Sequence, residues 1–239
     1  MLFEKEIEKY LRGTEFSSTV NVAIARKEKK ILYRTEYLEE LVQKKNIIHF
    51  GCVDHLPLIS EKIKNNTWLH KRISEKASNC MGIDINKEGI DYLIKLGYSN
   101  SLCFDILNDN IPEEIKNNKW DYLLMGEILE HVDNPVLFLS TLRNKCQNYI
   151  NEIIITVPSA FRLRNIKNTF RGHEYINSDH RYWFTPYTLA KVLTIAGYNS
   201  CNFQFCNNYY LSKHSVVNRF LLKKIPALRE TVVMVAKFR

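Results

Sequence analysis

The 239-residue chain has no uninterrupted apolar run of about 18 residues, so no segment reads as a membrane-spanning helix. Its start, Met1-Leu2-Phe3-Glu4-Lys5-Glu6-Ile7-Glu8, lacks the apolar core of a signal peptide. The six cysteines (Cys52, Cys80, Cys103, Cys146, Cys201 and Cys206) contain no C-x-x-C pair, which argues against a structural zinc site. Free thiols in a reducing compartment are the expectation, and the chain is predicted to be cytoplasmic. No repeat or low-complexity tract interrupts it. No G-x-G-x-x-G follows a strand, and that excludes the usual seat for a dinucleotide pyrophosphate. Lys+Arg number 34 against 26 Asp+Glu, a net charge of +8. The lysines are scattered, so the excess reads as a solvated basic surface and a nucleic-acid partner is not expected.

What is present is a series of short apolar strands ending in polar residues. Asn46–Phe50 has no helical period and suits a strand buried on both faces, with Gly51 at its end allowing a sharp turn close to a ligand. Further strands are predicted over 79–85, 99–105, 119–126, 151–157, 199–206 and 231–238. Helices between them are predicted from Pro57 to about Lys76, over 87–96 with Gly97 as stop, from Pro135 with Asp133 or Asn134 as cap, from Pro186 to about Ala196, and over 216–224. Alternating strands and helices imply a doubly wound, mostly parallel α/β sheet of about seven strands, with an antiparallel final strand.

Residues 1–45 carry helical periodicity (Leu2, Phe3, Ile7, Tyr10, Leu11, then 37–42) and are predicted to form an N-terminal helical cap, acting as packing or as a lid. Residues 46–239 form the main domain. Within it, 158–184 breaks the alternation and is rich in Arg, His and aromatic residues, as a substrate-binding segment would be.

Ligands of open parallel sheets bind outside the C-terminal strand ends. Asp84, after the second predicted strand, has two acceptor oxygens for the hydroxyls of a ribose, and Asp105 after the third could accept from an adenine amino group. Either could instead serve as a turn former.

At this point the chain resembles class I S-adenosylmethionine-dependent methyltransferases, of the small-molecule or glycan type. The resemblance lies in Ile47-Ile48-His49-Phe50-Gly51-Cys52, Gly82-Ile83-Asp84-Ile85, Phe104-Asp105-Ile106 and Thr156-Val157-Pro158-Ser159. It is most specific in Gly126-Glu127-Ile128-Leu129-Glu130-His131-Val132-Asp133-Asn134-Pro135, and it extends to His180-Arg181-Tyr182-Trp183-Phe184-Thr185-Pro186. It implies a Rossmann-like methyltransferase fold with S-adenosylmethionine held by His49, Gly51, Cys52, Asp84, Ile85, Asp105, Ile106, Gly126 and Glu127. The glycine loop departs from the family's acidic-x-G-x-G-x-G form: His49 stands at the acidic position, only Gly51 survives, and Val53 and His55 occupy the later glycine positions.

His131 or His180 is the predicted general base, because imidazole titrates near working pH; a loop-ordering role fits His131 equally. Arg162, Arg164, His173, Arg181, Tyr182 and Trp183 are the predicted acceptor contacts. Their charge suits a phosphorylated or nucleotide-linked sugar, or simply a solvated loop. His173, Asp179 and His180 could ligate a divalent metal, but no tight spacing supports a site and none is expected. The expected activity is methyl transfer to a small-molecule or glycan hydroxyl, with no membrane partner. The alternatives are a non-catalytic binding module of the same fold, or an N- or RNA methyltransferase.

Overall fold

A computed structural model of the protein describes residues 1–24, 30–213 and 215–238; residues 25–29 of the predicted cap lie outside them. The strands are β1 (Asn46–Phe50), β2 (Asn79–Asp84), β3 (Ser101–Cys103), β4 (Trp120–Gly126), β5 (Ile150–Pro158), β6 (Asn199–Cys206) and β7 (Thr231–Lys237). Before β1 come α1 (Lys5–Arg12) and α2 (Arg34–Val42). Between β1 and β4 lie α3 (Leu56–Lys64), α4 (Leu69–Ser74), α5 (Lys87–Lys95) and α6 (Glu113–Lys116). After β4 come α7 (Pro135–Cys146), α8 (Leu163–Thr169), α9 (Pro186–Ile195) and α10 (Val216–Lys224).

The strands form one sheet in the order β3-β2-β1-β4-β5-β7-β6. The pairs β1–β2, β1–β4, β2–β3 and β4–β5 are parallel. β7 inserts antiparallel between β5 and β6, which makes the predicted antiparallel strand a finding. Both faces are covered, as near-continuous apolar strands require. Alternate residues of β1 and β4 divide between them: Ile48, Phe50, Leu123 and Met125 join the core against α7 and α9, whereas Ile47 and Leu124 join that against α2 and α4. The two N-terminal helices divide likewise. Ile7 and Leu11 of α1 enter the first core, and Leu38 and Val42 of α2 enter the second.

Local chemistry sets the helix starts. Asn86 caps α5 by accepting from the Gly89 N–H at 3.0 Å, and Asn134 caps α7 by accepting from the Leu137 N–H at 3.0 Å. Thr185 and Thr188 form a capping box at α9, whose first residue is Pro186. Three boundaries differ from prediction. The helix expected over 57–76 is two helices, broken where Asn66 takes φ +53°, a left-handed conformation that Asn tolerates. β3 is three residues long, so Phe104 and Asp105 lie beyond it. The 158–184 segment, expected to be irregular, contains α8.

Candidate active site

Reversal of strand order places the C-terminal ends of β1 and β4 side by side, where an open sheet splits and offers a crevice. A cavity of about 710 Å³ occupies this end of the sheet, well within the range of small-molecule sites. Gly51 opens it. Its φ is +74°, and a Cβ there would sit 2.3 Å from Ile128 Cδ1, so both backbone conformation and space call for glycine. Gly126, across the switch point, is approached less tightly: a Cβ there would lie 3.1 Å from Arg34 Nη2. The next residue, Glu127, holds φ +56°, a strained state for a residue with a side chain.

The glycine-poor loop is accommodated by a displaced glycine. A Cβ on Gly89, in the first turn of α5, would meet Val53 Cγ1 at 2.4 Å, so Val53 fits because α5 has no side chain there. Asp84 ties the loop to β2: its Oδ2 accepts from the Val53 N–H (2.9 Å) and its Oδ1 from the Asn86 N–H (3.0 Å). Partial burial still raises its pKa.

All nine residues predicted to hold the cofactor line this one cavity. His49, Gly51 and Cys52 come from β1 and its loop; Asp84, Ile85, Asp105 and Ile106 lie beyond β2 and β3; Gly126 and Glu127 end β4. The structure adds residues that sequence motifs did not single out, chiefly Arg34 at the start of α2, Lys62 on α3 and Trp68 before α4. Arg34 Nη1 pairs with Glu127 Oε1 at 3.0 Å. His49 is buried with its Nδ1 3.0 Å from Nδ1 of His70, an equally buried residue on α4. Burial pushes the pKa of both imidazoles down, to about 4 for His70 and well below the usual value for His49, so the pair is neutral near pH 7.

A second constellation stands beside the first. Directly after Ile128 the chain makes a single 3₁₀ turn, Leu129–His131. It carries Glu130 inward, fully buried, with neither carboxylate oxygen hydrogen-bonded. His180 Nε2 is 4.0 Å from Glu130 Oε1, and the rings of His131 and His180 meet edge to face, centroids 4.6 Å apart. His180 Nδ1 is also buried without a partner. Burial raises the Glu130 pKa to about 8 and, with the neighbouring His131, lowers that of His180. One ligand atom from each of Glu130, His131 and His180 can be found within 4.8 Å of the others, and this is the grouping able to hold a divalent cation among the described residues. His173 and Asp179, weighed from sequence beside His180, are not part of it. The signal for Glu130 was present in the Glu-x-x-Glu-His stretch, but nothing in sequence told which of its two carboxylates turns inward.

His131 lines the 710 Å³ cavity and also an open groove of about 520 Å³ formed with Ser178, Asp179 and Arg181. The remaining predicted acceptor residues are largely engaged within the protein. The Arg181 backbone N–H donates to Glu130 O (2.8 Å), its guanidinium donates to His131 O and pairs with Asp133, and the Tyr182 hydroxyl donates to Asp133 O (2.7 Å). Trp183 Nε1 donates to Glu174 (2.9 Å), while Arg162 lies over the Trp183 ring at 4.5 Å and Arg164 over Tyr175 at 5.4 Å. His173 is exposed and lines neither space.

No protein-family model and no curated protein sequence matches the chain. Solved structures do. The small RNA methyltransferase HEN1 superposes with TM-score 0.55 at 13% identity over 91% of this chain, which spans 27% of the HEN1 chain. A methyltransferase from Thermotoga maritima gives TM-score 0.56 at 12% identity, covering 86% of this chain and 87% of that one. Another, from Aquifex aeolicus, gives 0.52 at 13%, covering 87% and 91%. Both are S-adenosylmethionine-dependent. The chain therefore has the Rossmann-like fold that S-adenosylmethionine-dependent methyltransferases share.

Proposed function

We propose that the protein is an S-adenosylmethionine-dependent methyltransferase that methylates a sugar hydroxyl. The observation that carries this reading is the position of His131 on the wall common to the two spaces, with Glu130 and His180 behind it. The donor set of the larger cavity fits the cofactor. Asp84 and Asp105 offer carboxylate oxygens for the adenosine end, and no arrangement of glycines awaits a phosphate. When bound, S-adenosylmethionine supplies an electrophilic methyl group on a sulfonium. The chain aligns an acceptor in the groove against it, which can lower the barrier by several kcal/mol.

The acceptor must also lose a proton. His131 lines the groove and His180 packs edge to face against its ring, so a ring nitrogen of either can take that proton, with Glu130 buried beside them. The same three side chains suit a divalent cation, and here the proposal departs from the sequence expectation of no metal. Two unpartnered, buried carboxylate oxygens and a buried, unpartnered imidazole nitrogen are costly without a ligand. A cation held there would lower the pKa of a bound hydroxyl.

The predicted acceptor was a small-molecule or glycan hydroxyl, such as that of a nucleotide-linked sugar. One feature of the surface favours the ribose of RNA instead. Phe170 (88% exposed) ends α8, Phe220 (61% exposed) lies on α10, and Lys167 joins the two helices through Asn218. Arg164 lies on α8 and Arg171 just after it, Arg219, Lys223 and Lys224 lie on α10, and the 239-residue chain as a whole carries +8. Exposed aromatics among cations are what unpaired bases and phosphates require. HEN1, with which the chain shares its fold, is a small RNA methyltransferase.

Labelled methyl transfer from S-adenosylmethionine to nucleotide sugars, glycans and single-stranded RNA, with added divalent cations, tests these readings together. His131→Ala should lower kcat by about a hundredfold or more while cofactor affinity stays within a few-fold. Transfer to RNA that weakens steeply with salt would select the ribose reading. Full activity in the His131→Ala enzyme would remove the cluster from the reaction.

A further inference from the structure

We infer that Arg34, delivered by the N-terminal stretch, receives the carboxylate at the amino-acid end of the cofactor. Arg34 can hold this role only if the cavity takes S-adenosylmethionine, as proposed above.

The cavity has an orientation. Asp84 and Asp105 mark its β2–β3 end, suited to the adenosine, so the amino-acid end of the ligand must reach across β1 to the end of β4. The groups meeting it there are His49 and Gly51 on one side and Gly126, Glu127 and Arg34 on the other. At the position where a carboxylate would be expected from the resemblance, His49 is instead paired through Nδ1 with His70 at 3.0 Å. One ring donates its Nδ1 proton to the Nδ1 lone pair of the other, so both rings stay neutral, and a further proton would leave a cation buried in the pair. Around the pair stand Arg34, the Cys80 thiol (4.0 Å from His70 Nδ1) and the rings of Trp68 and Tyr98. This wall is therefore uncharged and cannot form an ion pair with the ammonium.

Lys62, the other full cation lining the cavity, is occupied by Asp54 at 2.5 Å. Arg34 is different. It pairs with Glu127 through Nη1, its Nε is buried without a partner, and Nη2 reaches to within 3.1 Å of where a Gly126 Cβ would stand. A guanidinium so placed keeps donors for a carboxylate, the anion its fork matches. It is also held in place before any ligand arrives. The Arg34 backbone N–H donates to Asn207 O (2.8 Å), and α2 is fixed to α4 by the Glu39–Arg72 pair, with two bonds of 2.7 and 2.9 Å.

Calorimetry with S-adenosylmethionine, its decarboxylated analogue and 5′-methylthioadenosine tests this on the full chain. The wild type should bind S-adenosylmethionine about 10- to 100-fold more tightly than the decarboxylated form, the scale of a charged hydrogen bond. Arg34→Ala should bind the two alike and should bind methylthioadenosine as the wild type does, which also shows that the adenosine end and the fold are intact. Should the alanine variant lose methylthioadenosine as well, the uncharged Arg34→Gln of similar length takes its place in the comparison. A wild type indifferent to the carboxylate, or a variant that still discriminates, overturns the role of Arg34. A wild type that binds none of the three overturns the cofactor assignment itself.

Discussion

Glu130 is the residue whose chemistry is most exposed to test. Buried without a hydrogen bond on either oxygen, its carboxyl keeps its proton in the folded state up to about pH 8, against 4.5 for an ordinary glutamate. The unfolded chain gives up that proton at the lower pH. Between about pH 4.5 and 8 the native state thus holds more protons than the unfolded state, and stability must fall as pH rises. In the presence of a chelator, the urea midpoint of the wild type should drop across this window relative to that of Glu130→Gln, which has no proton to lose. A divalent cation bound to the ionised carboxylate should reverse the drop. Parallel curves for the two proteins would show that Glu130 is solvated or paired in solution, and would remove the reason for a ligand there.

At the scale of elements, the site is a turn clamped by a distant segment. The 3₁₀ turn after β4 is held by Arg181 and Tyr182, which grip the backbone carbonyls of His131 and Asp133. Under the proposed function Arg181 would position His131, and its loss should act on kcat. Arg181→Ala should lower kcat by about tenfold or more with cofactor affinity unchanged, since a displacement of about 1 Å can cost a hundredfold. A rise in acceptor KM alone would return Arg181 to direct acceptor binding. These contacts mark the limit of what the sequence discloses. Short continuous apolar runs, capping residues and terminal glycines identify nearly every strand and helix, and the strand-end carboxylates locate the cavity. The break at Asn66 leaves no local mark, because Ile59 and Ile63 before it and Leu69 and Ile73 after it each keep a helical spacing. The inward turn of Glu130, the docking of 180–184 on the 3₁₀ turn and the entry of Arg34 into the cavity depend on contacts between residues tens of positions apart, which no local pattern encodes.

For the molecule as a whole, the N-terminal stretch both covers the sheet and furnishes part of the cavity wall. Its two helices lie on opposite faces of the sheet, and α2 leaves Arg34 at the cavity mouth as it packs on α4. The cap thereby brings a cation to the end of β4, beside a glycine loop with His49 at its acidic position. A degraded glycine loop would also be expected of a module that had lost its cofactor, so occupancy of the cavity decides between an enzyme and a binding module. The direct measurement is titration of the purified full chain with S-adenosylhomocysteine, by calorimetry and by thermal unfolding. One molecule should bind per chain. At about 100 times its Kd it should add about 2.7 kcal/mol of stability, a rise in Tm on the order of 5–10 °C for a domain of this size. An absence of heat together with an unchanged Tm at millimolar S-adenosylhomocysteine would contradict the assignment of the cavity, and with it the methyltransferase function proposed for the protein.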